Sequence, residues 1–381
     1  MKKLKPQPFE VKRVAALAMI LQMLHFSRGD EMRWPLGICF FILLFVSGCG
    51  QSSALQEVID ERFMMDTLVK ITVFCEDKQQ GKAALEAAFA EFERISILTN
   101  RFPQGNGSSA LGDVLLANKN SGLKPIKVSN DTVAILERCH YYEQLSGGAF
   151  DVSVGPVMEL WGFGGSQRVP TDAEIKQTLD LVGYQKILLE PQQKTVYLTK
   201  RGMGIDLGSV AKGYATDQAA AVLKKMGIKH ALINAGGNIY ALGSKADGSP
   251  WRVGIQDPRN QQGLVAIVSV KDAAVVTSGD YQRYFEEAGV RYHHILNPAT
   301  GKPAREVMQT TVLGASATDA DILSTILFVL GPKRGMDFVQ GIQDTQAIFI
   351  TPDKQITMTN QLTKQLEFTG ADGYRIIHDN S

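Results

Sequence analysis

GIDLGSVAKGYATDQAAAVLKKMGIKHALINAGGNIYAL, from Gly204 to Leu242, holds a glycine-rich loop, a helix running through Met226, and two β-rich runs at 230–234 and 238–242. The Gly236-Gly237-Asn238 step between the runs has the composition of a tight hairpin turn. A helix next to antiparallel strands, with no alternating strand-helix rhythm, points to α+β. The rest of the chain repeats this mixture. Thr67–Phe74 reads as a strand and Lys82–Ile97 as an amphipathic helix. Phe102–Ser121 is polar and glycine-rich and reads as irregular. Ser129 or Asn130 caps a helix through Tyr142 that stops at Gly147-Gly148. Thr171 to Glu174 is a capping box opening a helix that ends near Gly183, and residues 186–199 form a hairpin. Further strands are expected at 251–256, 263–270, 346–350, 355–359 and 366–369. Asp319–Leu330 is a helix closed by Gly331-Pro332. The expected fold is α+β, with mixed, largely antiparallel sheets and packed helices.

The chain has 381 residues, 44% hydrophobic and 21% charged, with a formal net charge of +1. These are globular values that leave room for a large core. A balance this near neutral, with no basic stretch interleaved with aromatics, gives no pull toward nucleic acid. The first 50 residues differ in kind. LGICFFILLFVS at 36–47 is apolar but short for a membrane span, and Val46-Ser47-Gly48-Cys49 follows the pattern of small residues before a lipidated cysteine. Residues 1–48 are therefore read as a signal peptide. Asp30 and Glu31 are out of place in a basic leader, so Met32 is an alternative start. Residues 49–60 are read as a lipidated N-terminus and linker, and 61–381 as one catalytic body. Cys75 and Cys139 remain in that body, as one disulfide or two separate thiols.

Five clusters carry chemistry. Gly147-Gly148-Ala149-Phe150-Asp151 lets backbone approach a ligand beside a flat ring and an acceptor; it also fits a helix C-cap before a buried Phe. Gly204 to Gly213 places Gly208 and Ser209 at a helix start, with Lys212 one turn inside and Asp206 ahead of it. Free N–H groups at the positive end of a helix suit phosphate, and a capped helix with a solvated Lys is the plainer reading. It is neither a P-loop nor a Rossmann fingerprint. Asn234 to Asn238 is a turn unless a ligand reaches it. His293 and His294 are adjacent on an extended segment and face opposite ways, so at most one serves a given site. His294 is the candidate for proton transfer. Asp321 and Thr325 share one helix face as hard oxygen donors apt for magnesium. A dipole-stabilising Asp and a Thr bonded back to the helix is the alternative.

In this order the clusters resemble the ApbE family of FAD:protein FMN transferases. The strings that carry the resemblance are GGAFDVSVGPVMELWGFG (147–164), DLGSVAKGYATD (206–217), NAGGNIYALG (234–243), TSGDYQRYF (277–285) with HILNPATGKP (294–303), and TDADILST (318–325). The resemblance implies the family's T-fold-like architecture and Mg2+ held by Asp321, Thr325 and the Ser209 carbonyl. It implies FAD contacts at Met65, Phe102, Ala149, Phe150, Asp151, Asp206, Lys212 and Ile295. It further implies transfer of FMN from FAD to a threonine of an acceptor protein, a membrane-bound redox subunit, with AMP released. Asp321 or His294 takes the proton. The chain is then exported and lipid-anchored at Cys49, on the periplasmic face of the inner membrane. Two departures stand out: Asp66 replaces a usual Gly, and the family's Ser-to-Leu-Asn segment is poorly kept in Ser108–Asn118. An FAD pyrophosphatase giving FMN and AMP, or a non-catalytic FAD-binding lipoprotein, are the alternatives.

Overall fold

The computed structural model describes residues 55–103, 111–370 and 373–377. The leader, Cys49 and most of the expected linker lie outside the described residues. So do residues 104–110, which include the start of the Ser108–Asn118 segment. β1 (Gln56–Met64) and β2 (Thr67–Cys75) open the fold as an antiparallel hairpin, Gln56 opposite Cys75 and Met64 opposite Thr67. β1 thus begins inside the stretch 49–60 that the sequence reads as linker. Val58-Ile59 and Phe63-Met64 flank three consecutive charged residues, so the segment lacks the period-two alternation that would announce a strand. The turn residues Met65 and Asp66 have φ of 51° and 59°. A two-residue hairpin turn of this hand demands that pair of angles, and Asp tolerates them, so Asp66 is accommodated where a Gly was expected.

α1 (Lys78–Thr99) follows, capped by the Asp77 carboxylate, which accepts the Gln79 N–H at 2.8 Å. α2 (Asp113–Lys119) corrects the reading of 102–121 as irregular. Seven residues are too few to display a helical period, but Val114, Leu115 and Ala117 are buried. Next come β3 (Ile126–Lys127), α3 (Asn130–Leu145, capped by Ser129), α4 (Gly155–Leu160) and α5 (Asp172–Leu179, with its capping box). β4 (Ile187–Glu190) and β5 (Thr195–Leu198) form the expected hairpin. α6 (Ala211–Lys225), β6 (His230–Ala235) and β7 (Asn238–Leu242) occupy the stretch quoted at the outset. β8 (Trp251–Asp257), β9 (Asn260–Val270), β10 (Ala273–Gly279), β11 (Tyr284–Glu287), β12 (Val290–His293), β13 (Leu296–Asn297), β14 (Lys302–Pro303) and β15 (Gln309–Gly314) lead to α7 (Ala317–Gln340). β16 (Gln346–Ile350), β17 (Gln355–Met358), β18 (Leu366–Phe368) and β19 (Arg375–Ile376) complete the described chain.

α7 runs past the expected stop at Leu330. Gly331 adopts φ 74° and ψ 178°, and Pro332 then opens a second helical segment. Proline at a first helical position loses no hydrogen bond, so the pair makes a kink and not an end.

Nine strands form one sheet in the order β1-β2-β6-β7-β10-β15-β16-β17-β19, antiparallel except for the β17–β19 pair. Alternating side chains give it two apolar faces. Ala274 and Val276 of β10 join Ile71, Ile233 and Val312 against Phe89 and Phe92 of α1, Leu223 of α6, and Leu327 and Phe328 of α7. Val275, between them, joins Leu313 and Ile348 against Trp251, Val253 and Val268 of the smaller sheet β18-β9-β8. A third cluster packs Val157, Met158 and Trp161 from and after α4 on Ile175 and Leu296. Register defines two rims. Gln56, Cys75, His230 and Leu242 lie at one, and Met64, Thr67, Ala235 and Asn238 at the other. Cys75 and Cys139 are both buried and free, which decides for two separate thiols. Among the described residues, no helix is long and apolar enough to cross a membrane.

His293 belongs to the packing. It is 2% exposed, with Nε2 donating to the Ala304 carbonyl at 2.6 Å and its ring edge-on to Phe328. Burial lowers its imidazole from the ordinary 6.5 to about 4. The unfolded chain therefore takes up a proton near pH 6.5 that the folded one refuses until about pH 4, so stability is full above that window and falls on acidification through it. His293 accounts for about 3 kcal/mol of that loss by pH 4. His293→Gln, which keeps a donor for Ala304, should flatten the stability profile between pH 6.5 and 4. Denaturant titrations across this range check it, and an unchanged slope would contradict the assignment.

Candidate active site

The loop ahead of α6 is tied down before it can be used. Asn118 of α2 clamps Ile205, accepting its N–H at 2.7 Å and donating to its carbonyl at 2.9 Å. Asp206 N–H donates to the Val152 carbonyl at 2.8 Å. Asp206 Oδ1 then accepts the Gly208 N–H at 2.8 Å, an Asx turn that steers the chain into the helix. Asp206 Oδ2 pairs with Arg101 Nε at 2.8 Å. Arg101 also reaches Glu159 at 2.9 Å and the Phe163 carbonyl at 3.0 Å. Sequence reasoning missed Arg101 and Asn118, because a lone Arg or Asn after a helix carries no signature of its long-range partner.

α6 and α7 hold each other by exchanging carboxylates. Asp217 of α6 accepts Ala317 N–H at 2.8 Å, Thr318 N–H at 2.9 Å, and the hydroxyls of Thr318 and Ser316 at 2.6 and 2.9 Å. It thereby satisfies the free donors at the start of α7 from outside that helix. In return, Asp321 Oδ2 of α7 accepts Gly213 N–H at 2.9 Å. The contact needs glycine. A Cβ at position 213 would lie 2.3 Å from the Ala317 carbonyl oxygen and 2.8 Å from Asp321 Cβ. It also alters the start of α6. Ala211 and Tyr214 donate to Leu207 and Val210 in the helical pattern. Gly213, the residue four beyond Ser209, has turned its N–H to Asp321, so the Ser209 carbonyl loses its helical donor.

A pocket opens where the starts of α6 and α7 meet the end of β10 and the segment 294–298. Ser209, Lys212 and Asp206 line it from α6 and its loop, and Asp321 and Thr325 from α7. Ala149, Phe150 and Asp151 form another wall, with His294 and Ile295 opposite. Asp151 is also a backbone anchor, accepting Ser153 N–H at 2.8 Å and Tyr184 N–H at 2.9 Å. Burial holds its carboxyl above the ordinary range in spite of these bonds. Thr277, Ser278, Gln282 and Arg283 complete the rim; they belong to the string 277–285, to which no individual site role was attached. Two expected FAD contacts fall elsewhere. Met65 sits in the β1–β2 turn, half-buried against the helix-side core. Phe102 stacks on the Arg101 guanidinium at 4.2 Å and covers Gly164. Neither lines the pocket.

The tandem histidines diverge as an extended backbone requires. His294 turns to the pocket while its N–H and Nδ1 both meet the Arg283 carbonyl at 3.1 Å. A carbonyl only accepts, so Nδ1 carries the proton and Nε2 keeps its lone pair. Burial, then the Arg283 and Lys212 cations and His293, hold the imidazole well below its ordinary value, hence neutral. Lys212 and Arg283 have no carboxylate partner among the described residues.

The architecture and this pocket define an α+β protein with a polar and charged pocket at a helix start. A family model described as the ApbE family matches residues 65–349, and the chain belongs to that family. The FAD:protein FMN transferase of Treponema pallidum (strain Nichols) is 33% identical over 340 residues, 85% of this chain and 92% of that protein. Its counterpart of the same name in Klebsiella pneumoniae (strain 342) is 34% identical over 273 residues, 70% of this chain and 84% of that one. Among solved structures, an ApbE protein from Thermotoga maritima matches with a TM-score of 0.74 at 32% identity, covering 81% of this chain and 99% of that one. The flavin transferase ApbE from Vibrio cholerae matches with a TM-score of 0.72 at 28% identity, covering 82% and 99%. The α+β class and its largely antiparallel sheets are thus common to chain and family.

Gly213→Ala would drive a methyl group into the Ala317 carbonyl. We expect it to lower stability by about 2 kcal/mol, read as a shift in denaturant midpoint. A variant as stable as the wild type would show that the two helices do not cross this tightly.

Proposed function

We propose that the chain is an FAD:protein FMN transferase that uses magnesium to move FMN from FAD onto a threonine hydroxyl of an acceptor protein, releasing AMP. The observation that carries this reading is the freed Ser209 carbonyl beside Asp321 and Thr325 at a helix start. Asp321 is 4% exposed and spends one oxygen on Gly213, and Thr325 Oγ1 has no hydrogen-bond partner among the described residues. A carboxylate, a hydroxyl and a carbonyl are hard oxygen donors. A set with a single carboxylate suits magnesium, which retains waters and takes phosphate oxygens for its remaining positions. Asp321, Thr325 and the Ser209 carbonyl are therefore assigned to hold it. When bound, magnesium supplies charge neutralisation at the pyrophosphate.

The chain's own groups supply the rest. Lys212 and the amides at the start of α6 bind phosphate oxygens at the positive end of the helix dipole. Phe150 and Ile295 offer apolar walls for the ring systems of FAD. Phosphoryl transfer asks chiefly for positioning and charge stabilisation. The bond between the FMN phosphorus and the bridging oxygen breaks, AMP leaves with that oxygen, and the threonine oxygen bonds to phosphorus. His294 Nε2 accepts the threonine proton, since its lone pair is open and its ring neutral. Asp321 is the weaker candidate for this role, because its carboxylate is committed to Gly213 and to the donor set. Met65 and Phe102 are left without a ligand role in this reading.

The acceptor is read as a membrane-bound redox subunit, and the enzyme as an exported lipoprotein held at Cys49 on the periplasmic face of the inner membrane. The small residues before Cys49 support the anchor.

Purified enzyme incubated with FAD, Mg2+ and an acceptor carrying the target threonine should add one FMN phosphoryl unit to the acceptor, read by mass spectrometry. Asp321→Asn, which keeps an acceptor for Gly213, should lower the rate at least ~100-fold. Free FMN with unmodified acceptor would favour hydrolysis instead, and retained FAD without turnover a binding protein. Cys49→Ala should move the protein from the membrane fraction to the soluble periplasm; unchanged partitioning would remove the anchor from the reading.

A further inference from the structure

Arg283 is a pocket cation that this mechanism leaves unused. It stands in the turn between β10 and β11, exposed, on the pocket rim. Its Nη2 is 3.6 Å from where a side chain at position 208 would begin, so the guanidinium lies over Gly208 at the start of α6. Other arginines near the site are already committed. Arg101 is paired with Asp206 and Glu159, and Arg259 and Arg291 with Asp280. Arg283 has no such partner among the described residues. An unpaired guanidinium beside a glycine helix start presents a planar fork of donors where an anion would sit. The backbone of the same residue fixes His294, through two 3.1 Å contacts to its carbonyl.

We propose that Arg283 is a catalytic residue: its guanidinium binds a non-bridging oxygen of the substrate pyrophosphate over Gly208, while its carbonyl sets the tautomer of the base. The proposal rests on the FMN-transfer reading and adds a residue to it. It couples recognition of the phosphate to the state of His294, because the charge that grips the anion also faces the imidazole. The charged or titratable groups facing His294 are Arg283, Lys212 and neutral His293, with the Asp151, Asp206 and Asp321 carboxylates on the same pocket walls. Loss of the Arg283 charge lets His294 take up a proton at higher pH, which moves the acid limb of the rate profile upward.

The test compares wild type with Arg283→Gln and Arg283→Lys in magnesium buffer, using ADP affinity by calorimetry and kcat and KM for transfer as a function of pH. The Arg283 carbonyl survives both changes, so the variants isolate the guanidinium. Arg283→Gln should bind ADP about tenfold more weakly and lower kcat about a hundredfold, with the acid limb at higher pH. Added guanidinium should restore part of the rate, and Arg283→Lys should retain more ADP affinity than the Gln variant. Wild-type ADP affinity and kcat in Arg283→Gln would overturn the proposal. So would a loss of rate that guanidinium does not repair and that accompanies a lowered melting temperature. If wild type binds FAD without transferring FMN, the transfer reading fails, and the ADP affinity of Arg283→Gln alone decides the phosphate contact.

Discussion

Each of two helices caps the other with a carboxylate, and the site is assembled around that exchange. Asp217 closes the start of α7, and Asp321 reaches back to Gly213 in the first turn of α6. Carboxylates withdrawn from water, Asp321 fully and Asp217 in part, are costly unless bonded. Asp217 is bonded four times over, whereas Asp321 receives one backbone bond and keeps capacity for more. The pair also sets the distance between the helices, because only a hydrogen at position 213 fits beneath Ala317. From that closeness follows the unpaired Ser209 carbonyl. The oxygens proposed to hold magnesium thus come from the way two helices pack together, with no cluster of acidic residues among them.

The opposite wall is organised by a second economy, in which one strand end serves two purposes. His293 is locked into the core on Ala304 and Phe328, and His294 is thereby turned outward. Desolvation holds both imidazoles below their ordinary value, one locked into the core and the other facing the pocket. Arg101 does comparable service under the α6 loop, joining Asp206 to Glu159 while it is nearly sealed from solvent. The charges under the α6 loop are paired, while Lys212 and Arg283 on the pocket wall have no carboxylate partner among the described residues.

How much of this was legible in the sequence follows from the range of each interaction. Caps at Ser129 and Thr171, the 186–199 hairpin and the α6-β6-β7 unit are local, and their residues announce them. Lys212 stood out by its place one turn into a glycine-led helix, and Asp321 and Thr325 by a spacing of four that puts them on one helix face. The short helix α2 did not, since seven residues show no period, and β1 was hidden because three charged residues in a row interrupt any strand alternation. Gly331-Pro332 has the composition of a stop and acts as a bend, because packing carries the helix onward. Arg101 and Asn118 act through partners 105 and 87 residues away, counted from Arg101 to Asp206 and from Asn118 to Ile205, and nothing in a single sequence marks such pairings. Met65 and Phe102 were drawn in by resemblance alone, and lie outside the pocket walls.

The register of the nine-stranded sheet has a bearing on reach. β1 starts at Gln56 on one rim and runs nine residues to the other, where the β6–β7 turn and the end of β10 meet the pocket. At about 3.3 Å per residue the strand is roughly 30 Å long. The described chain therefore enters the sheet at the rim remote from the pocket. The sheet thus sets a spacing of one strand length between the point where the described chain begins and the pocket.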